Sequence, residues 1–166
     1  MPTTENLQAA FAGESQANRK YLAFAKKAEA EGKPMVAKLF RTVADAETLH
    51  AHAHFKVMGG VQDTVKNLEA AVAGEAYEFQ TMYPAFLKDA EAEKNADAVT
   101  NFKFALAVEK VHHDLYRQAL AAVKEGRDLE ARSIHLCPVC GNLAFGKPPA
   151  RCPVCGVPMG RWVEVK

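Results

Sequence analysis

The chain has 166 residues, 49% of them hydrophobic and 25% charged, and its 21 Lys and Arg against 20 Asp and Glu give a formal net charge of +1. That length allows one ordinary core with a small appendage, and charges so evenly mixed offer neither a basic stripe for nucleic acid nor an acidic tail. No stretch stays apolar for about 18 residues, and the opening MPTTENLQAAFAGES has no basic segment ahead of an apolar run, so no membrane span or leader is expected and the protein is placed in the cytoplasm.

Four segments carry helical periodicity, at roughly Thr4 to Glu31, Pro34 to Met58, Thr64 to Lys94 and Asp97 to Lys124. Gly32-Lys33-Pro34 separates the first two, with Pro34 suited to a first helical turn. Gly59-Gly60 ends the second and Gly126 follows the fourth. Pro84 falls inside the third segment and predicts a kink there. Up to about Ala131 the chain is rich in Ala, Glu, Lys and Leu, and beyond it come most of the prolines and all four cysteines. The composition therefore predicts an all-α domain over 1–131 and a separate module over 132–166.

Sliding the first pair of segments onto the second by 61 or 62 positions exposes an internal repeat. Gly13-Glu14 meets Gly74-Glu75, Phe40 meets Phe102, Glu47 meets Glu109, and His50 meets His112. Two similar helical hairpins joined by the stretch from Gly59 to Asp63 are implied, and a four-helix bundle with pseudo-two-fold symmetry is the natural packing.

The apolar stripes of these helices contain acids. Leu7, Glu14, Tyr21 and Ala28 recur every seven residues on the first; Val36, Phe40, Val43, Glu47, His50, His54 and Val57 form a stripe on the second. The third has Leu68, Val72, Glu75, Phe79 and Met82, and the fourth has Phe102, Leu106, Glu109, His112 and Tyr116. An isolated carboxylate in an apolar interior costs many kcal/mol, and no Lys or Arg shares these stripes, so metal is the economical partner. Carboxylates with imidazole suit iron or manganese. Residues three apart share a helical face, so Glu47 with His50 and Glu109 with His112 each present two ligands inward. A lone Glu from each of two helices, here Glu14 and Glu75, plus Glu-x-x-His from each of the other two is the ligand pattern of ferritin-like di-iron bundles. Glu78, three residues after Glu75, is an additional inward acid. Tyr21 and Tyr83 each lie about two turns from an expected ligand, where hydrogen bonding to it and simple packing are both open. His52, His54 and His113 are assigned to surface or packing, and Glu29, Glu31, Glu91 and Glu93 to a solvated face.

The sequence Cys137-Pro-Val-Cys140-Gly followed by Cys152-Pro-Val-Cys155-Gly places two thiolate pairs at the ends of an eleven-residue loop. Each turn aims two sulfurs at one point, and four thiolates make a tetrahedral site for iron or zinc, between which spacing does not choose. Phe145, Trp162 and Val163 are the expected small core, with the metal contributing much of the module's folding energy.

The segments GESQANRKYLAFAKKA, ETLH, GEAYEF and EKVH in that order, then CPVC twice, resemble the rubrerythrin family over essentially the whole chain. The resemblance implies a ferritin-like bundle in which Glu14, Glu47, Glu75, Glu78, Glu109 and His112 hold two irons, and in which His50 exchanges with Glu78 on one iron as the redox state changes. It implies a rubredoxin-like one-iron centre at Cys137, Cys140, Cys152 and Cys155, hydrogen peroxide as the substrate, and reduced pyridine nucleotide as the ultimate electron source through a separate reductase or rubredoxin. Peroxide would be reduced to two waters at the expense of a diferrous pair, with Glu78, Tyr21 or Tyr83 near enough to supply protons. Two departures concern the cysteine site: its loop is one residue shorter than is usual in the family, and Asn142 stands where an aromatic residue commonly follows Cys-Gly. A ferroxidase or iron-binding protein with a structural zinc ribbon is the competing function.

A helix from His112 to Ala131 would span about 28 Å, which places the two kinds of metal site too far apart within one chain. A head-to-tail homodimer, with the cysteine module of one subunit near the di-iron site of the other, is therefore expected. Exchange of a hairpin through the stretch from Gly59 to Asp63 is left open by the sequence.

Overall fold

The computed structural model describes residues 2–130 and 132–165, and the chain falls into two compact units, Met1–Gln62 and Asp63–Lys166. The first unit is a helical hairpin of α1 (Pro2–Ala30) and α2 (Pro34–Val57). Glu5 in the first turn of α1 and Lys27 in its last both complement the helix dipole. The hairpin turns on Gly32, whose φ of +71° lets the Lys33 N–H bond back to the Ala28 carbonyl at 2.9 Å. Pro34 then opens α2, where its missing N–H costs nothing.

The seam between α1 and α2 is built of alanine. Ala25, Ala28, Ala37, Ala44 and Ala51 are the buried residues of this unit, and such small side chains let the two backbones approach closely. Asn18 crosses the seam, its amide donating to the Ala44 carbonyl at 2.7 Å and to Thr48 Oγ1 at 2.8 Å, and Phe11 stacks on Phe55 at 5.0 Å between ring centres. The stripe expected as core is only half-buried here: Glu14, Tyr21, Phe40 and Glu47 are partly covered, while Phe24, Val36, His50 and Val57 are exposed. A helix pair has only one mutual face, and alanine has taken it.

The second unit begins with α3 (Thr64–Tyr77), capped by Asp63, whose carboxylate accepts the Lys66 N–H at 2.9 Å. The third segment is not the single kinked helix of the sequence reading. After α3 comes one π-helical turn over Glu78–Met82, then α4 (Tyr83–Ala92). The Tyr83 N–H bonds the Glu78 carbonyl, five residues back. Pro84 has no N–H to continue the α pattern, and the extra residue is taken up as a wide turn just ahead of it.

Asn95 caps α5 (Ala96–Lys124) by accepting the Ala98 N–H at 3.1 Å. The helix stops well short of Ala131, which lies outside the described residues together with the boundary placed there. At Gly126 (φ +74°) the chain reverses, with the Arg127 N–H on the Ala122 carbonyl at 3.0 Å. The C-terminal module is a three-stranded antiparallel sheet in the order β2-β1-β3, from Ile134–Leu136 (β1), Leu143–Phe145 (β2) and Val163–Val165 (β3), with Ile134 opposite both Phe145 and Val165. Its core is Cys137, Cys152 and Trp162. Phe145 is half-buried and Val163 is exposed, so Val163 is not the core residue expected: β3 is an edge strand exposed along its whole length, and the buried ring is that of Trp162 just before it.

Candidate metal centres

Each unit gathers one half of the repeated acid and imidazole set. In the first, α1 supplies Glu14 and α2 supplies Glu47 and His50, with ligand atoms all within 4.8 Å of one another. In the second, α3 supplies Glu75 and α5 supplies Glu109 and His112, again within 4.8 Å. The repeat persists to the atom: His50 Nδ1 lies 3.0 Å from Glu47 Oε2, and His112 Nδ1 lies 2.7 Å from Glu109 Oε2. Both pairs follow from i, i+3 placement on one helical face.

The second set is electrostatically strained in a way that calls for a cation. Burial, a hydrogen bond to Glu109 and the charge of Glu109 push the Glu75 carboxyl up to about 7, Glu78 adds to this, and His112 opposes it. Glu75 Oε2 is buried without a hydrogen-bond partner. Burial and then the Glu109 charge also raise Glu78, again against His112. An orphaned buried oxygen in a cluster of acids is a fitting ligand for iron. Glu78 stands at the start of the π-turn beside this set, and its oxygens are not among the three grouped ligand atoms.

Tyr83 is raised by burial and then by Glu109, Glu78 and Glu75, which puts its phenol in the field of these acids. Tyr21 instead packs against the rings of Phe24 and Phe40. Of the residues set aside, His52 is exposed, His113 packs on the Phe79 ring at 5.1 Å, Glu29 pairs with Arg41, Glu31 with Lys27 and Lys33, and Glu91 with Lys103.

The four cysteines form the third cluster. Sγ atoms of Cys137 and Cys155, Cys137 and Cys140, and Cys140 and Cys152 all lie 3.5 Å apart. A metal–sulfur bond of about 2.3 Å gives a tetrahedron with edges of about 3.8 Å, so the cage suits one iron or zinc ion. Burial would raise the Cys152 thiol, but backbone N–H groups of Cys155 and Val154 bring it down to about 6, whereas burial holds Cys140 and Cys155 above the ordinary thiol range. Asn142 is buried, and its amide donates to Cys152 Sγ at 3.8 Å; the position that departs from the family pattern thus touches a sulfur of the four-cysteine cluster.

One contact was invisible in the sequence. The Gly141 carbonyl, next to Cys140, accepts from His112 Nε2 at 3.1 Å within the same chain. A carbonyl only accepts, so Nε2 carries the proton and Nδ1 is left facing the acids as a ligand, the usual outer-shell device for a metal-binding imidazole. The cysteine module thus meets its own chain's His112 instead of lying the length of a helix away, because the chain reverses at Gly126 and does not continue as a helix toward the module.

These three clusters are the metal-binding plan of one family, and the rubrerythrin family model matches residues 5–120. The chain belongs to the rubrerythrin family. Among curated relatives it is 38% identical to nigerythrin of Nitratidesulfovibrio vulgaris, over 92% of this chain and 81% of that protein. It is 32% identical to rubrerythrin-2 of Clostridium acetobutylicum, over 93% and 92%. Nigerythrin solved in a fully reduced, all-ferrous state matches with a TM-score of 0.60 and 33% identity, covering 98% of this chain and 86% of that one. As a rubrerythrin, the chain is an all-α, ferritin-like di-iron oxidoreductase with a C-terminal rubredoxin-like module. Among the described residues, no helix is long and apolar enough to cross a membrane.

Proposed function

We propose that this rubrerythrin is a peroxidase that reduces hydrogen peroxide to water, with electrons entering through the cysteine module. The observation that carries the reading is the hydrogen bond from His112 to the Gly141 carbonyl, which leaves one peptide unit and one imidazole between a cysteine ligand and the carboxylate cluster. Ferroxidase chemistry needs no such link, since its electrons come from the iron substrate itself.

Glu14, Glu47, Glu75, Glu109, His112 and either His50 or Glu78 would hold two irons, which when bound would supply the two electrons that peroxide reduction needs. The balance is one peroxide, two electrons and two protons to two waters. This chain's residues supply the protons and the path. Glu78, whose carboxyl is raised above its ordinary range by burial and by Glu109, is the near proton donor, and Tyr83, in the same field, is the reserve donor behind it. Tyr21, packed among rings, holds the first hairpin's aromatic cluster in place. Cys137, Cys140, Cys152 and Cys155 would hold one iron, which would supply one-electron chemistry for a rubredoxin or a pyridine-nucleotide-linked reductase as donor. Four free cysteines suit a reducing compartment such as the cytoplasm.

The test is metal content together with the visible spectrum of oxidised protein, followed through dithionite and then stoichiometric peroxide. About three irons per chain, with thiolate-to-iron bands bleached by reductant and restored by peroxide, is the expected result. Two irons with zinc at the cysteines would deprive the module of its relay role.

A further inference from the structure

We infer that Asn142 sets the reduction potential of the cysteine site, its side-chain amide donating to Cys152 and so favouring the reduced state. This rests on the proposed iron at Cys137, Cys140, Cys152 and Cys155, and every residue involved lies in the one unit Asp63–Lys166.

The cage is built from two copies of one turn, Cys137 to Asn142 and Cys152 to Val157. In each, the glycine after the second cysteine has a positive φ, +84° at Gly141 and +77° at Gly156. Its N–H returns to the carbonyl of the first cysteine, at 3.0 Å in one turn and 2.9 Å in the other. The next residue closes the turn: the Asn142 carbonyl accepts the Cys137 N–H and the Val157 carbonyl accepts the Cys152 N–H, both at 2.8 Å. The backbone N–H groups of Asn142 and Val157 serve Cys140 and Cys155 alike. The two backbones are thus equivalent, and the side chains at the closing position are not. Val157 packs on the core of Cys137, Cys152 and Trp162. Asn142 crosses to the other turn and gives its amide N–H to Cys152 Sγ at 3.8 Å.

Packing does not account for an amide at this place. Among the described residues Asn142 is the one polar side chain so fully buried, at 4% exposure, and its Oδ1 has no hydrogen-bond partner. An apolar side chain, such as the valine of the other turn, would fill the position without orphaning an oxygen. What the amide alone provides is a donor to sulfur. Cys152 is itself only 3% exposed, so water has little access to take over that bond, and a dry surrounding strengthens it. α5 shields the same turn: a Cβ on Gly141 would lie 3.8 Å from Cγ1 of the buried Val108.

One electron added to ferric iron among four thiolates turns a singly negative cage into a doubly negative one. A fixed N–H donor at a sulfur stabilises the second state more than the first, which raises the potential. Asn142 thereby lets the module accept an electron from a weaker donor than a cage with valine at both closing positions could use.

Full-length wild type, Asn142→Val and Asn142→Leu are each reconstituted with ferrous ion and titrated spectroelectrochemically on the thiolate-to-iron bands. The first variant copies the second turn, and the other nearly keeps the shape of the amide. Both should leave iron content and ferric band positions unchanged while favouring the oxidised form about threefold to tenfold, a potential lower by about 30–60 mV for a one-electron couple. An unchanged potential in an iron-loaded variant overturns the inference. A fall in potential with displaced ferric bands also overturns it, since a distorted cage explains both, and so does loss of iron from both variants, which would make Asn142 a structural residue. Wild-type protein that takes no iron at the cysteines would instead count against the proposed function.

Discussion

Glu75 shows how a single residue can require a metal. In the metal-free protein its folded pKa of about 7 stands above the ordinary carboxylate value of 4.5. The folded state therefore binds more protons than the unfolded one between those values, and stability is lost as pH rises through that window. Thermal melts of apoprotein should show the melting temperature falling from pH 5 to pH 7.5, and ferrous ion added at pH 7.5 should reverse the fall. A flat or rising apoprotein profile would remove the electrostatic account of this cluster. Glu78, three residues on, has a different task. Glu78→Gln keeps the side-chain size and removes the transferable proton, so peroxide turnover should drop by about 10²-fold with iron content unchanged; stopped-flow reoxidation of the reduced protein reads it. These acids were legible in the sequence because a charge in an apolar stripe is conspicuous and the repeat doubled it. The Gly141 carbonyl was not, since nothing in a backbone atom's sequence position says which helix it will meet.

At the scale of elements, the periodicity located the outer ends of the four helical segments to within a few residues, because alanine-rich segments bounded by glycine and proline have few alternatives. The π-turn escaped it. Pro84 announces a break, yet whether the chain kinks or inserts a residue depends on what surrounds Glu78, and that is a tertiary matter. The stripes were also read as more buried than each unit makes them, since the alanines on the neighbouring face carried no signal of their own. Gly60 offers a test at this scale. A Cβ there would sit 2.2 Å from the Phe55 ring, which is stacked on Phe11. Gly60→Ala should therefore force that ring pair apart and cost about 1–3 kcal/mol, read as a melting temperature lower by about 2–12 °C. An unchanged melting temperature would mean that the ring swings aside freely.

For the whole molecule, the fold class and the repeated Glu-x-x-His and Cys-Pro-Val-Cys motifs were legible in spacing, whereas the division of the acids into one three-ligand group in each helical unit was not. A one-residue cysteine change separates the clusters' tasks. Cys152→Ala should abolish metal binding by the module and reduce donor-linked peroxide turnover by more than about tenfold. Dithionite-reduced protein should still be reoxidised by a single charge of peroxide, because the carboxylate set is untouched. Loss of both activities together would show that the module props up the acids as well as feeding them.

The single tryptophan of the chain, Trp162, is packed against Cys137 and Cys152. Intrinsic fluorescence is thus a private channel to the cysteine module: iron–thiolate absorption should quench it, zinc should leave it bright, and melting of the helices alone should leave it unchanged. Emission and helical dichroism, recorded on one sample, then follow the two kinds of metal centre separately without any label.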